Sequence, residues 1–251
     1  MCRFLAYVGP PVRLDALLLA PPHSLLRQSW APRMQTHGVV NADGFGVGWY
    51  DHAVRPEPAV YRSARPMWSD RNLPSFGPMV ASGAVLAAVR SATPPSPVEE
   101  SAAPPFTSGR WLFAHNGAVV DLAGVGPALR RALSDRRLAG IVSPTDAELL
   151  FAMVLDRLDS GAAPAAALAE VVGIVRDGRM NLVLTDGVRV AAVAWGESLF
   201  TRSAGSVAGS EAGSGSVVVA SEPYDDGDDW QAVPDTSVVS ATAGSLTVEA
   251  L

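Results

Sequence analysis

The chain has 251 residues, of which 48% are hydrophobic and 18% charged, so it can bury one large core and is expected to form a single domain over residues 1–251. Its 19 basic residues are all arginine and its net charge is −6, which disfavours nucleic-acid binding and a polybasic tail. No apolar run has the length of a membrane span and no signal-type core follows Met1, so we expect a cytoplasmic protein without a membrane anchor.

Three elements are predicted in the first fifty residues. The segment from Cys2 to Val8 is apolar on both alternating faces except at Arg3, which is typical of a strand buried between two layers. Leucines at helical spacing predict a helix over 15–26. The segment 43–50 alternates glycine with large residues, which predicts a strand that has close backbone neighbours.

Two further apolar runs end in polar residues. Residues 83–89 predict a buried strand that ends at Arg90, and residues 111–114 predict another that ends at the His-Asn-Gly sequence of 115–117. These two strands are therefore expected to present polar groups at their tips.

The second half of the chain is predicted to hold two helices and then a meander of strands. Thr145 begins a capping box for a helix that ends near Ser160, and a second helix is expected over 164–176. Asp186-Gly187 is typical of a hairpin turn, and the Gly/Ser-rich segment 203–216 predicts a flexible loop. Short alternating runs predict strands at 180–185, 188–195, 217–221, 237–241 and 245–249. This order of elements indicates an α+β fold with antiparallel sheets.

The single cysteine, Cys2, is a candidate nucleophile. Its small side chain favours removal of Met1, which would place a thiol and a free α-amine on one residue. An α-amine titrates near pH ~8 and a thiol near ~8.5, so the amine can accept the thiol proton close to neutrality. The alternative is that Cys2 is a small buried hydrophobic residue, which is the commoner fate of a free cysteine.

Asn116 and Gly117 support two interpretations. An Asn-Gly pair after a strand is a strong indicator of a hairpin turn. The same turn could point the asparagine amide and the glycine N–H at a developing oxyanion, where one such donor contributes about 3 kcal/mol. The two interpretations are compatible.

Arg90 and Asp146 are candidates for binding charged groups. An arginine at the end of an apolar strand needs an anion, either a carboxylate of the substrate or a structural salt-bridge partner. Asp146 stands in the first turn of a predicted helix, where the helix dipole favours it, and it could also bind a substrate ammonium. Together the two residues would hold the amino-acid end of a glutamyl group.

Metal and cofactor chemistry is not expected. The histidines at 23, 37, 52 and 115 have no zinc-site spacing, and His115 is interpreted as a structural residue at a strand end. The glycines of 44–48 are not followed by a phosphate-binding helix, and the acidic run 225–229 lacks the ligand pattern of a calcium loop.

Five segments, in order along the chain, resemble class II glutamine amidotransferase domains: Met1-Cys2, Asn41 to Gly48, Val89 to Thr93, Phe113 to Gly117 and Thr145 to Glu148. These domains belong to the N-terminal-nucleophile hydrolases. The resemblance covers nearly the whole chain and implies a four-layer αββα sandwich, in which two antiparallel sheets lie between helical layers. It also implies an enzyme that uses no metal and no cofactor.

The resemblance implies a role for each matching residue. Cys2 would be the nucleophile with its own α-amine as base, and Asn116 with the Gly117 N–H would form the oxyanion hole. Arg90 would hold the α-carboxylate of the glutamyl group. Asp146 would hold its α-amine, which the Gly117 carbonyl could also contact.

The chain departs from the ammonia-transferring members of that family directly after Thr93, a further candidate for substrate binding. At that point Pro94-Pro95 replaces a His-Gly pair. No synthetase domain follows either. We therefore expect hydrolysis of a small-molecule γ-glutamyl amide, with no obligatory protein partner, in preference to ammonia delivery.

Shorter segments resemble the amidohydrolases of ergothioneine synthesis, which act on γ-glutamyl-hercynylcysteine sulfoxide. They are the segments 21–23, 28–33, 90–93, 99–106 and 220–226. The resemblance implies that substrate. The alternatives are an amidohydrolase for glutamine or another γ-glutamyl compound and, in a different class, a catalytically silent binding domain.

The implied substrate carries a trimethylated ammonium, a group that aromatic faces and carboxylates bind. Trp68 with Asp70, and Tyr224 with Asp225 and Asp226, are candidates for this role because they stand in loops that could line the mouth of a cleft. The alternative is that Trp68 belongs to the core and that the acidic run is solvated.

Overall fold

The computed structural model describes residues 2–94, 96–204 and 215–251. The strands of these ranges are β1 Arg3–Arg13, β2 Phe45–Trp49, β3 Ala59–Ser63, β4 Ala81–Val89, β5 Phe106–Ser108, β6 Trp111–Val119, β7 Gly178–Thr185, β8 Arg189–Ala194, β9 Phe200–Ala204, β10 Ser216–Ala220, β11 Gln231–Ala232, β12 Ser237–Thr242 and β13 Ser245–Ala250. The helices are α1 Leu14–Leu18, α2 Leu25–Gln28, α3 Leu73–Phe76, α4 Leu122–Arg131, α5 Asp135–Ala139, α6 Asp146–Asp159 and α7 Pro164–Val175.

The strands form two antiparallel sheets. The first has the order β11-β9-β10-β1-β4-β2-β3, and the second has the order β13-β12-β8-β7-β6-β5. The β7–β8 hairpin turns at Asp186-Gly187, as the sequence predicts, with Thr185 opposite Val190. The predicted α+β class with antiparallel sheets is confirmed.

Three apolar layers separate the elements. Phe4 and Leu86 of the first sheet and Leu112 of the second belong to the core between the sheets. The outer face of the second sheet packs against α6 and α7, where Phe113 stacks on Phe151 with ring centroids 5.0 Å apart. The outer face of the first sheet packs against α1 and α2. This arrangement is the predicted four-layer αββα sandwich. Among the described residues no helix is long and apolar enough to cross a membrane.

The helix predicted over 15–26 is instead two short helices. The first ends at Leu18 and the second begins at Leu25, with Pro21 and Pro22 between them. Proline lacks a backbone N–H and restricts the residue before it, so the chain cannot continue one helix through this pair. The leucines Leu14, Leu17, Leu18 and Leu25 are nevertheless all buried, as their spacing predicted.

The prediction of a turn at Asn116-Gly117 is wrong. Both residues lie inside β6, where Asn116 pairs with Asn181 and Gly117 with Met180. Gly117 has φ +148°, and a Cβ at this position would collide with the carbonyl of Arg179. The glycine is therefore required by the close approach of β7, because tertiary pairing overrides the local turn preference of the Asn-Gly pair.

The other predicted elements appear with small changes of boundary. Helix α6 begins after Thr145, whose hydroxyl oxygen accepts from the Glu148 N–H at 3.2 Å. The expected close backbone neighbours are present at Gly46 of β2, where a Cβ would lie 2.8 Å from the carbonyl oxygen of Tyr61. The predicted loop 203–216 is bounded by the end of β9 and the start of β10, and its residues 205–214 lie outside the described residues.

Candidate active site

Most of the predicted site residues lie in the walls of one cleft. Its volume is about 380 Å³, and its walls include Cys2, Arg90, Thr93, Gly117 and Asp146. Pairing of β1 with β4 places Arg3 opposite Val89, so Cys2 and Arg90 emerge from the same end of adjacent strands. The other residues come from β6, from the start of α6 and from the segment after Arg90. Residues from four separate segments between positions 2 and 146 thus converge on one cleft.

Asn116 lies directly behind Cys2. The backbone N–H of Cys2 donates to Asn116 Oδ1 at 3.1 Å across the gap between the two sheets. Asn116 is fully buried, and within the described ranges its Nδ2 has no hydrogen-bond partner. A buried amide donor without an acceptor lowers the stability of the fold. Such a donor is free to bind an oxyanion that forms only during a reaction.

Arg90 is buried and has no carboxylate partner among the described residues. It is 5% exposed, and its guanidinium donates to the carbonyls of Asp43 at 3.3 Å and Pro97 at 2.8 Å and to Ser96 Oγ at 2.7 Å. These acceptors are neutral, and the side chain forms no ion pair with any described residue. The structural salt bridge considered from the sequence is therefore not formed within the described ranges. The charge of Arg90 remains available to an anion in the cleft.

Asp146 is held from two elements. Its Oδ2 accepts from the Val119 N–H of β6 at 3.1 Å, and its Oδ1 accepts from the Ala147 N–H at 2.8 Å. His115 lies behind it, with Nδ1 3.8 Å from Asp146 Oδ1 and Nε2 3.2 Å from the Arg179 carbonyl. The Asp146 side chain keeps 24% of its surface exposed. Its carboxylate is thus fixed in orientation and still accessible from the cleft.

The residues predicted for the trimethylated ammonium do not line this cleft. Trp68 is 44% exposed and packs edge-to-face on Trp30 at 6.1 Å, so it does not belong to the core. Tyr224 is half-buried and packs on Trp230 at 5.0 Å. Binding of the ammonium by these residues stays a prediction of the sequence alone.

Asp225 is engaged within the fold. It accepts from Arg202 Nη1 at 2.7 Å and from Trp230 Nε1 at 2.9 Å. Partial burial favours the neutral acid, but hydrogen bonds from Trp230, Gly227 and Arg202 outweigh it and hold the pKa of Asp225 below its usual value. The acidic run is therefore not simply solvated, because this member of it forms specific contacts.

Sequence reasoning missed the buried charges behind Cys2. Arg3 and Glu222 are both fully buried, and Glu222 accepts from the backbone N–H groups of Arg33 and Met34 at 3.0 and 2.8 Å. One indication was present in the sequence, since Arg3 is the only charged residue in an otherwise apolar strand segment. The carboxylates near it, Glu197 and Glu222, could not be identified, because they stand 194 and 219 positions further along the chain.

Comparisons with known proteins identify the family of this chain. The family model described as "Glutamine amidotransferases class-II" matches residues 23–204. The chain is 41% identical to the gamma-glutamyl-hercynylcysteine sulfoxide hydrolase of Mycobacterium tuberculosis, over 100% of this chain and 97% of that protein. It is 40% identical to the protein of that name from Mycolicibacterium smegmatis, over the full length of both. A solved class-II glutamine aminotransferase domain protein from Silicibacter pomeroyi matches 99% of both chains with 26% identity and a TM-score of 0.68.

Proposed function

Because the chain belongs to the class II glutamine amidotransferase family, we propose that it hydrolyses the γ-glutamyl amide bond of γ-glutamyl-hercynylcysteine sulfoxide with Cys2 as nucleophile. The observation that carries this proposal is full-length identity of 41% and 40% to two mycobacterial hydrolases named for that substrate. The products would be glutamate and hercynylcysteine sulfoxide.

The charged walls of the cleft support binding of the glutamyl end. Arg90, which has no carboxylate partner of its own among the described residues, would pair with the α-carboxylate. Asp146, fixed by the N–H groups of Val119 and Ala147, would pair with the α-ammonium. With both ends of the amino acid fixed, the γ-carbonyl would extend toward Cys2, which lines the same cleft.

Cys2 and its own α-amine would carry the chemistry. Once Met1 is removed, the amine takes the Sγ proton and Sγ attacks the γ-carbonyl carbon. Asn116 Nδ2 and the Gly117 N–H would stabilise the oxyanion. The intermediate then collapses to a glutamyl thioester as the leaving amine takes the proton from the Cys2 ammonium.

Water completes the cycle. The Cys2 amine takes a proton from a water molecule that attacks the thioester carbonyl, and the resulting intermediate expels Sγ. The thiolate regains its proton from the ammonium, so glutamate leaves and the free enzyme is restored. Each step uses groups of the chain, the substrate and water.

A comparison of three substrates tests the proposal. The purified chain with Cys2 as first residue is incubated with γ-glutamyl-hercynylcysteine sulfoxide, its unmethylated histidine analogue and glutamine, and glutamate release is followed by mass spectrometry. We expect the highest kcat/KM for the first compound. A higher kcat/KM for glutamine would favour the alternative of a glutamine amidohydrolase, and hydrolysis of none of the three would contradict the proposal.

Removal of either charge at the glutamyl end is expected to weaken substrate binding. Arg90→Met and Asp146→Asn should each lower kcat/KM, mainly through a higher KM, by a factor that corresponds to about 2 to 3 kcal/mol of lost transition-state stabilisation. The reason is that each variant leaves one charge of the bound substrate desolvated and unpaired. Steady-state kinetics on the preferred substrate measures the effect. Arg189→Met is the control, since its side chain is 54% exposed and pairs with Asp186 at 3.4 Å. Kinetics equal to that control would reduce Arg90 and Asp146 to structural roles.

A further inference from the structure

We propose that Arg3 is a positioning residue for Cys2. The buried guanidinium of Arg3, set against Glu197 and Glu222, holds Cys2 beside Asn116 and keeps the α-amine of Cys2 in the neutral form. The inference rests on the proposed function, because it assigns a role within the same reaction.

Arg3 is buried with few hydrogen bonds. Its side chain is 0% exposed, its Nη1 donates to Ser198 Oγ at 3.2 Å, and its Nη2 lies 3.7 Å from Glu197 Oε2. Nε and Nη2 have no hydrogen-bond acceptor in the part of the chain that the structure describes. Burial lowers the pKa of Arg3, whereas the carboxylates of Glu222 and Glu197 act in the opposite direction. A buried cation with so few hydrogen bonds lowers the stability of the fold. A stabilising role therefore does not explain why an arginine stands at position 3.

The contacts of Arg3 lead to the strand pair that carries Asn116. Glu197 also pairs with Arg179 of β7, whose Nε lies 2.8 Å from Glu197 Oε1. The Arg179 carbonyl in turn contacts His115 Nε2 at 3.2 Å. Arg3 thus connects the start of β1 to β7 through charged side chains, and β7 contacts β6 through the backbone carbonyl of Arg179. Displacement of Arg3 would change the separation between Cys2 and Asn116.

Cys2 depends on such an anchor because it precedes the first strand. The ladder of β1 begins at Arg3, which pairs with Val89, and chain termini fray unless they are held. The Cys2 N–H to Asn116 Oδ1 bond is part of the site that must be held. A displacement of about 1 Å at a reacting group can reduce a rate by a factor on the order of 100.

Arg3 also balances the charge behind the nucleophile. Glu197 and Glu222 are both buried there, and Arg3 with Arg179 offsets them. Without Arg3, the two carboxylates and Arg179 would carry a net negative charge. This charge would favour the protonated form of the Cys2 amine, and the protonated amine cannot accept the thiol proton. The other titratable groups on the described walls of the cleft are Arg90, His115, Asp121 and Asp146.

Two readouts on Arg3→Met, Arg3→Lys and Glu197→Gln test the inference. The first is the pH dependence of kcat and KM on the preferred γ-glutamyl substrate. The second is the pH dependence of iodoacetamide alkylation, which needs no substrate and reports only Cys2, because the chain has one cysteine.

Arg3→Met should lower kcat on the order of 10- to 100-fold, leave KM within about twofold and move both pH profiles to higher pH. Arg3→Lys should recover part of kcat and return the profiles toward wild type. Glu197→Gln removes a negative charge, so its profiles should move to lower pH. This opposite direction is not expected from a general loss of stability.

The matched control is Arg137→Met. Arg137 is 12% exposed at its side chain and pairs with Asp159 at 2.6 Å, outside the cleft of Cys2. It should lower Tm and leave both pH profiles unchanged. The inference would be overturned if folded Arg3→Met had the kcat and the alkylation profile of the wild type. It would also be overturned if the pH profiles of Glu197→Gln moved in the same direction as those of Arg3→Met. A wild-type chain that alkylates normally but hydrolyses no γ-glutamyl compound would instead be a failure of the proposed function.

Discussion

A chain that retains any residue in front of Cys2 is expected to show no measurable γ-glutamyl hydrolysis. The proposed base is the α-amine of Cys2, and an upstream peptide bond converts this amine into an amide that cannot accept a proton. Cys2→Ala should lose activity to a similar extent, on the order of 10⁴-fold or more, because it removes the nucleophile itself. Intact mass identifies the first residue of each preparation, and glutamate release measures turnover.

The same extension at the other end of the chain is the matched control. Leu251 is 48% exposed, so an added tag should leave turnover unchanged. A preparation that carries the N-terminal extension and hydrolyses substrate at the normal rate would contradict the amine as base. Full activity of Cys2→Ala would exclude Cys2 as the nucleophile.

Asn116→Ala is expected to reduce kcat on the order of 10³-fold while KM changes little. The amide is proposed to contribute one oxyanion donor, worth about 3 kcal/mol in comparable sites, and its Oδ1 also accepts from the Cys2 N–H at 3.1 Å. Asn116→Asp separates the two functions, since a carboxylate accepts that bond but has no N–H to donate. Rapid-quench measurement of thioester formation would locate the loss in the chemical step.

Asn41→Ala provides the control for a buried asparagine. Asn41 is also fully buried, and its Nδ2 donates to the Gln28 carbonyl at 2.9 Å. This variant should lower the free energy of unfolding by about 1 to 3 kcal/mol and leave kcat within about threefold. If Asn116→Asp retained full kcat, Nδ2 would not be an oxyanion donor and the unpartnered amide would need another explanation.

Local patterns in the sequence were sufficient for much of the architecture. The apolar runs of β1, β4 and β6 are buried where they were expected, because a strand between two layers needs apolar residues on both faces. Helix α6 begins after Thr145, as its capping box predicted, and helix α7 begins at Pro164, where the second helix was expected. The class II amidotransferase family was also identified from five short motifs. These features depend on residues close to one another in the chain.

Tertiary structure alone decided the features that depend on distant residues. The Asn-Gly pair at 116 and 117 continues through β6, since pairing with β7 outweighs its preference for a turn. Arg90 has no carboxylate partner among the described residues, and Trp68 lies outside the cleft, facts that no spacing could reveal. The contact between Arg3 and Glu197 joins positions 194 apart. Sequence patterns fix which side chains are buried, because burial follows local periodicity. They do not fix which buried charges meet, because that depends on how the two sheets stack.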